Sequence, residues 1–507
     1  MTNAKTSPPA EPDARKRWLT LGVIALAQML VVVDHTIVTI ALPNVQRSIG
    51  LSTSDRQWVV TAYALAFGGL LMLGGRLGDM FGRRRVLLVG VTGFTLASAV
   101  GGAANSTAML IAARACQGAF AAALAPSALA LLAVTFTDPK ERGKAFGIFT
   151  AVMMSGAATG LILGGILTQY ASWRWCFYAN VPLAVVILVG VVMVLPRDAA
   201  RAAGDSRPSV AGLDMPGVLL GCAGIGALEF GLAQSTDHGW GSGPVVGSLI
   251  ASAVLLALFG FWQTRATRPI LPARVIADRV RGGAFFAMVV NPFAMVGMFL
   301  FMTFQFQAVM HYSPTRTGLA FLPYVISVVF SSTQITARLA PRVPPRALVI
   351  PGLLLVACGL LLLSTLTPNS DYASRALPAL LLFGLGTGAS MPTCMSLATR
   401  TADARDAGIA SAFANTSQQI GGSLGAAVLN TISVTAAAGY LANHHASDVT
   451  ALAASHGNAT AAGAATIPIV LTAALLAVAL KPKPAPQPAL QPEPEPSVAG
   501  LSQGEAV

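Results

Sequence analysis

The chain has 507 residues, 54% of them hydrophobic and only 10% charged, with a net charge of +12. A soluble globular domain has about a quarter of its residues charged, so this composition argues against a water-soluble fold. The basic residues lie in short loops between apolar runs rather than on one face, which argues against nucleic acid as a partner.

Residues 1–17 and 481–507 are rich in Pro, Ala and Glu and are expected to be disordered tails. Arg15, Lys16 and Arg17 precede an apolar stretch that is too long for the core of a cleaved signal peptide, so it reads as an uncleaved first span. Apolar runs of membrane-crossing length then recur. They predict spans near 18–43, 56–78, 86–104, 107–135, 144–169, 175–195, 214–234, 245–263, 283–310, 317–337, 347–367, 375–398, 406–436 and 465–480. The expectation is an all-α polytopic protein with fourteen transmembrane helices.

Basic residues alternate between the two sides of these spans. One side collects Arg15–Arg17, Arg76, Arg83–Arg85, Lys140, Arg142, Lys144 and most later arginines; the other has Arg47, Arg56, Arg174, Arg316 and Arg375. The positive-inside rule makes the crowded side cytoplasmic and places both termini there. A polar turn, a span, a basic loop and a second span occur from Ser54 to Gly90 and again, degenerated, from Ser313 to Gly352. Such a repeat predicts two related bundles, residues 18–195 and 266–480, with a site between them and an extra helix pair within 196–265.

An ionisable group inside a span is expensive and usually faces a partner, a cavity or an ion path. Asp34, in the run Leu30–Pro43, is such a group, and we read it as a proton site. Arg114, with Gln117 one turn on, forms a polar face on the fourth span that Asp34 can meet, either as a proton-coupled site or as a fixed ion pair. His35, adjacent in sequence, points about 100° away around the helix; it serves helix packing or tunes the response to pH.

The loop Gly75–Arg85 reads GRLGDMFGRRR. A merely topogenic loop explains Arg83, Arg84 and Arg85 but not Gly75, Asp79 and Gly82, which suit a tight turn and a carboxylate facing a helix N-terminus or an arginine. Gly156, Gly160 and Gly164, with Gly165 beside them, form a stripe for close helix approach. Glu229 in the seventh span serves a cationic substrate or a second proton, or lies near the outer interface where water reaches it; Asp214 reads as a helix cap. The thirteenth span carries Ser411, Asn415, Gln418 and Gly422 at helical spacing, facing either a central cavity or another helix. In the ninth span, a break at Pro292 would present Phe293, Phe301 or Phe304 to an apolar substrate; packing or lipid contact is the alternative.

Cys116, Cys176, Cys222, Cys358 and Cys394 all fall within spans, without metal or disulfide spacing, and read as small core residues. His238, His444, His445 and His456 fall in expected outer loops, solvated or as a weak metal patch. No metal site or organic cofactor is called for. Nucleotide-binding loops, GxSxG, HExxH and paired catalytic carboxylates are absent in any plausible context, so the expectation is a transporter driven by an ion gradient rather than an enzyme.

The Gly75–Arg85 loop resembles the GxLaDrxGrkxxL signature of the major facilitator superfamily. The first span is similar to LDxTIVNVALP, Arg114–Gly118 to RxxQG, and Gly156–Gly165 to the antiporter motif, with Leu161 where that motif has proline. Trp173-Arg174-Trp175, Asn180-Val181-Pro182 and Gly408–Gly425 also match, so that residues 18–480 resemble the fourteen-span drug:proton antiporters of the EmrB/QacA type. The resemblance implies the major facilitator fold of two six-helix bundles and proton-coupled efflux of small amphipathic compounds such as antibiotics. It implies proton coupling through Asp34 and Arg114, gating by the Gly75–Arg85 loop and leak sealing by the glycine motif. The residues themselves leave open a symporter importing a small solute. Expected partners are substrate, protons and the bilayer, and the chain is expected to work as a monomer in the bacterial cytoplasmic membrane.

Overall fold

The computed structural model describes residues 14–51, 53–195, 214–267, 269, 271–367, 370–400, 406–443 and 449–480. The expected tails 1–13 and 481–507, the linker 196–213, and His444 and His445 lie outside the described residues. Residues 14–17, expected in the tail, form the first turn of a helix.

Fourteen helical spans long and apolar enough to cross a membrane occur among the described residues. In chain order they are α1 (Ala14–Ile49), α2 (Thr53–Phe81), α3 (Arg83–Gly102), α4 (Thr107–Thr135), α5 (Pro139–Tyr170), α6 (Arg174–Val194, broken at Ala179) and α7 (Met215–His238). The remainder are α8 (Gly243–Arg265), α9 (Arg279–Phe304), α10 (Arg316–Leu339), α11 (Arg346–Ser364), α12 (Tyr372–Ala398), α13 (Ala407–Asn443) and α14 (Val449–Ala479). Their starts follow local chemistry. Ser106, Asp138, Asp214 and Asp278 each accept a backbone N–H of the first turn, and Pro139 and Pro216 occupy positions where no N–H is needed.

Three expectations change. α14 starts near 450 instead of 465, because its polar first turns are satisfied by α13: Ser433 donates to Asn458 at 2.8 Å, and the rings of Tyr440 and His456 lie 5.1 Å apart. His456 is therefore in a helix, not a loop, and the described residues hold no cluster of three or more metal-ligating side chains. α9 runs through Pro292 without a break, since the neighbouring helices hold it; Phe301 is buried and Phe293 packs on the core. Cys116 and Cys358 are exposed, while Cys176 and Cys394 are buried as expected.

Helices α1–α6 and α9–α14 form two six-helix bundles. The inserted helix α7 packs on α2 of the first bundle and α13 of the second, and α8 lies behind it. The bundles approach each other closely in the half that carries the basic loops, here the basic end. There Gly75 admits Ala412 and the Gly408 carbonyl, Gly143 admits Ala340, and Gly147 admits the Ser332 carbonyl; a Cβ on any of the three would stand within 2.5 Å of its neighbour. In the opposite half α5 leaves Ile162, Leu163, Ile166 and Tyr170 exposed. These three contacts hold the bundles together at the basic end, here the seal.

Candidate functional site: a buried acid in a polar cluster

Asp34 has no exposed surface and sits at mid-span of α1. Its Oδ2 accepts Arg114 Nη1 at 2.6 Å; its Oδ1 accepts Gln117 Nε2 at 2.9 Å and Asn180 Nδ2 at 2.7 Å. Arg114, 1% exposed, also donates from Nε to the Val59 carbonyl of α2 at 3.2 Å and from Nη1 to Gln117 Oε1 at 3.0 Å. Its guanidinium lies 4.3 Å from the centre of the Tyr63 ring. Ser98 of α3 completes the cluster, receiving Gln117 Nε2 at 3.1 Å and Asn180 Nδ2 at 2.9 Å and donating to the Phe177 carbonyl at 3.0 Å.

Taking both charges out of water costs several kcal/mol per ion before their attraction is counted, and replacing such a pair by apolar groups is often neutral or stabilising. The pair is therefore weak as a stabiliser of the fold. Gln117, on the polar face that Asp34 meets, is consumed by this cluster with no exposed surface. His35 and Thr39 stay exposed on a neighbouring face of α1, with the His35 ring 5.9 Å from that of Tyr63. Ser98 and Tyr63 carried no signal in the sequence, because an uncharged polar residue in a span is common; Asn180 was visible only as part of a motif.

The glycine stripe sets α1 in place. Gly156 faces Met29 and Val32, Gly160 faces Thr36 and the Val33 carbonyl, and Gly164 faces Ile37 and Ile40. At Gly160 a Cβ would lie 1.8 Å from Thr36 Oγ1, so only glycine permits this approach, two residues from Asp34. Gly165 has nothing within 4 Å and is not part of the contact. α5 remains helical through position 161.

At the basic end Asp79 Oδ1 accepts Arg83 Nη2 at 3.0 Å, and the carboxylate abuts Gly408 at the start of α13, where the helix dipole favours an anion. Gly82 makes the turn between α2 and α3 with φ +93°, and Arg84 Nη2 reaches the Val192 carbonyl at 3.5 Å. On the other side of the seal, Arg142 donates from Nε to Ser396 Oγ at 2.9 Å and from Nη2 to the Ser396 carbonyl and Thr399 Oγ1, both at 3.0 Å. Its Nη1 reaches the carbonyls of Ala133 and Phe136 at 3.0 and 3.3 Å. In the sequence Arg142 reads only as one of the basic residues that set topology. A cavity of about 500 Å³ lined by Arg142, Arg400 and hydroxyls of Thr336, Thr393 and Ser396 lies at this end, remote from Asp34.

Glu229 is 3% exposed, at the junction of α7, α2 and α13. Its Oε2 accepts Ser423 Oγ at 2.5 Å, its Oε1 is buried without a partner, and Gly68 and Gln419 border it. Its carboxyl group is therefore enclosed by protein. Asn415 turns to its own helix, donating to the Ser411 carbonyl at 2.9 Å, and Gln418 is half-buried. Asp214 caps α7 and also accepts Trp262 Nε1 at 2.6 Å and Gln263 Nε2 at 2.9 Å, tying α7 to α8.

The chain is 48% identical over 467 residues to the puromycin resistance protein pur8 of Streptomyces alboniger, covering 92% of this chain and 91% of that protein. It is 37% identical to the cephamycin export protein CmcT of Amycolatopsis lactamdurans (84% and 87% covered) and 34% identical to the tetracenomycin C resistance and export protein of Streptomyces glaucescens (84% and 77%). Among solved structures, the human organic anion transporter MFSD10 shares the fold, with a TM-score of 0.65 at 16% identity over 93% of this chain and 100% of that one. The sequence profile of the Major Facilitator Superfamily matches residues 24–426. With fourteen spans, two bundles and these relatives, the chain belongs to the Major Facilitator Superfamily and is a membrane transporter, not an enzyme.

Proposed function

We propose that the protein exports small amphipathic or hydrophobic molecules of the antibiotic class across the bacterial cytoplasmic membrane, in exchange for protons and by alternating access. The observation that carries this reading is the Asp34 cluster: a carboxylate buried at mid-span, held by Arg114, Gln117 and Asn180. Membrane burial makes such an acid expensive, and one kept at mid-span usually marks an ion path. Asp34 takes up the proton, Arg114 holds the ionised form, and Glu229 is a second acid of the cycle at the seam between the bundles. The segment Gly75–Arg85, the ends of α2 and α3 around the Gly82 turn, latches the basic end through Asp79 while the opposite end is open. Asn415, Gln418 and Phe293 border the substrate path as the bundles rock.

The excess of basic residues at one end supports a cytoplasmic placement of that end and of both termini. The names of the relatives support antibiotics as cargo, and the protein is taken to act as a monomer with no cofactor beyond protons. One proton crossing about 100 mV supplies about 2.3 kcal/mol, enough for a concentration ratio of about fiftyfold.

Everted membrane vesicles energised by respiration test the direction. Puromycin accumulating inside them, with release of protons to the outside, is the expected result. Puromycin driven out of such vesicles, or uptake by cells on external acidification, would establish import and sink the proposal.

A further inference from the structure

Asn180 stands at a break in α6. Pro182 has no N–H to offer the Tyr178 carbonyl, and the span divides into Arg174–Tyr178 and Asn180–Val194. The outer piece is anchored by Arg174, which donates to the carbonyls of Gly102 and Ala104 at 2.8 and 2.6 Å. Within the break Asn180 is 1% exposed, and its Nδ2 serves both Asp34 and Ser98. Its Oδ1 is buried with no hydrogen-bond partner. A buried amide oxygen without a donor is uncommon in a folded protein and calls for an explanation.

The neighbourhood supplies one. The charged and titratable groups around Asp34 are Arg114 from α4, His35 from α1, Tyr63 from α2 and Cys176 from α6. The groups that hydrogen-bond the carboxylate are all donors, which suits an ionised acid. A neutral carboxyl also carries an O–H and needs an acceptor. Gln117 Oε1 is already taken by Arg114, whereas Asn180 Oδ1 is free of any such bond. Resting on the reading of Asp34 as the proton site, we propose that Asn180 is a positioning residue that serves both charge states of Asp34. Its Nδ2 donates to the carboxylate; after a half-turn of the amide, its Oδ1 accepts from the neutral carboxyl.

The step balances. One proton adds to a carboxylate oxygen, one O–H bond forms, the hydrogen bond to Asn180 reverses direction, and no other covalent bond changes. Ser98 keeps Gln117 Nε2 as a donor and the Phe177 carbonyl as an acceptor throughout. Because that carbonyl belongs to the outer piece of α6, the amide links the charge on Asp34 to the anchored segment Arg174–Tyr178.

The test uses the full chain in proteoliposomes with puromycin as probe and Asp34→Asn as control. Asn180→Ala should lower puromycin transport driven by a pH gradient by about tenfold, while puromycin counterflow at equal pH stays within about twofold. Asn180→Gln, which keeps a donor and an acceptor, should restore part of the driven rate, and Ser98→Ala should show a smaller loss of the driven rate alone. Driven transport unchanged in Asn180→Ala overturns the proposal. So does an equal loss of driven transport and counterflow in protein of native melting temperature, which marks a purely structural role. Should Asn180→Ala not fold, Ser98→Ala decides by the same split. If Asp34→Asn keeps driven transport, the proton reading itself fails; if Asp34→Asn loses it and Asn180→Ala does not, only the role of Asn180 fails.

Discussion

Replacing Arg142 by Met should loosen the seal at the basic end. The side chain keeps most of its apolar stem but loses the guanidinium, 4.9 Å from the Phe146 ring centre, and with it three hydrogen bonds to the other bundle. Hydrogen bonds to charged groups have a net worth of about 1.5–3 kcal/mol each, so even about 1 kcal/mol apiece removes about 3 kcal/mol from the sealed state. That shifts the ratio of sealed to open molecules by about 100-fold. Spin labels at Lys140→Cys and Arg346→Cys, both exposed at the basic end, report the separation in a background without native cysteines. A longer-distance population should appear in Arg142→Met, and efflux should slow as the cycle dwells in the open state. Unchanged distances together with unchanged efflux would refute the assignment of Arg142 to the seal.

Gly160→Leu should force α1 from α5; overpacking of this kind costs about 1–3 kcal/mol or more, read as a lower melting temperature in detergent together with lost transport. Asp214→Ala removes a helix cap and its ties to Trp262 and Gln263, and should lower the melting temperature by an amount equivalent to about 1–2 kcal/mol while leaving transport per folded molecule near wild type. Glu229→Gln preserves the shape and an acceptor for Ser423, so melting temperature should hold while proton-driven efflux falls; efflux at the wild-type rate would remove Glu229 from the cycle.

Much of this architecture was legible in the chain because lipid imposes length and composition together. The spans could be placed to within a few residues wherever basic loops or turn residues marked their ends. The start of α14 was not legible, since Ser455, His456 and Asn458 look like loop residues until α13 is beside them. Asp34 and Arg114 stood out because a charge in an apolar run demands a reason, and the structure brings them to 2.6 Å. Ser98 and Tyr63 did not, being polar but uncharged, and Asn180 gained meaning only from the break that Pro182 creates. Arg142 was hidden for the opposite reason: a lysine- and arginine-rich loop already accounts for an arginine, and only the fold shows that this one crosses to Ser396 and Thr399.

The central claim is that Asp34 exchanges a proton for substrate. Its most direct measurement is internal pH in proteoliposomes after puromycin is supplied on the side from which it is exported. The wild-type protein should move protons opposite to puromycin, and Asp34→Asn, correctly folded, should move none. Proton movement coupled to puromycin at the wild-type rate in Asp34→Asn would contradict the account.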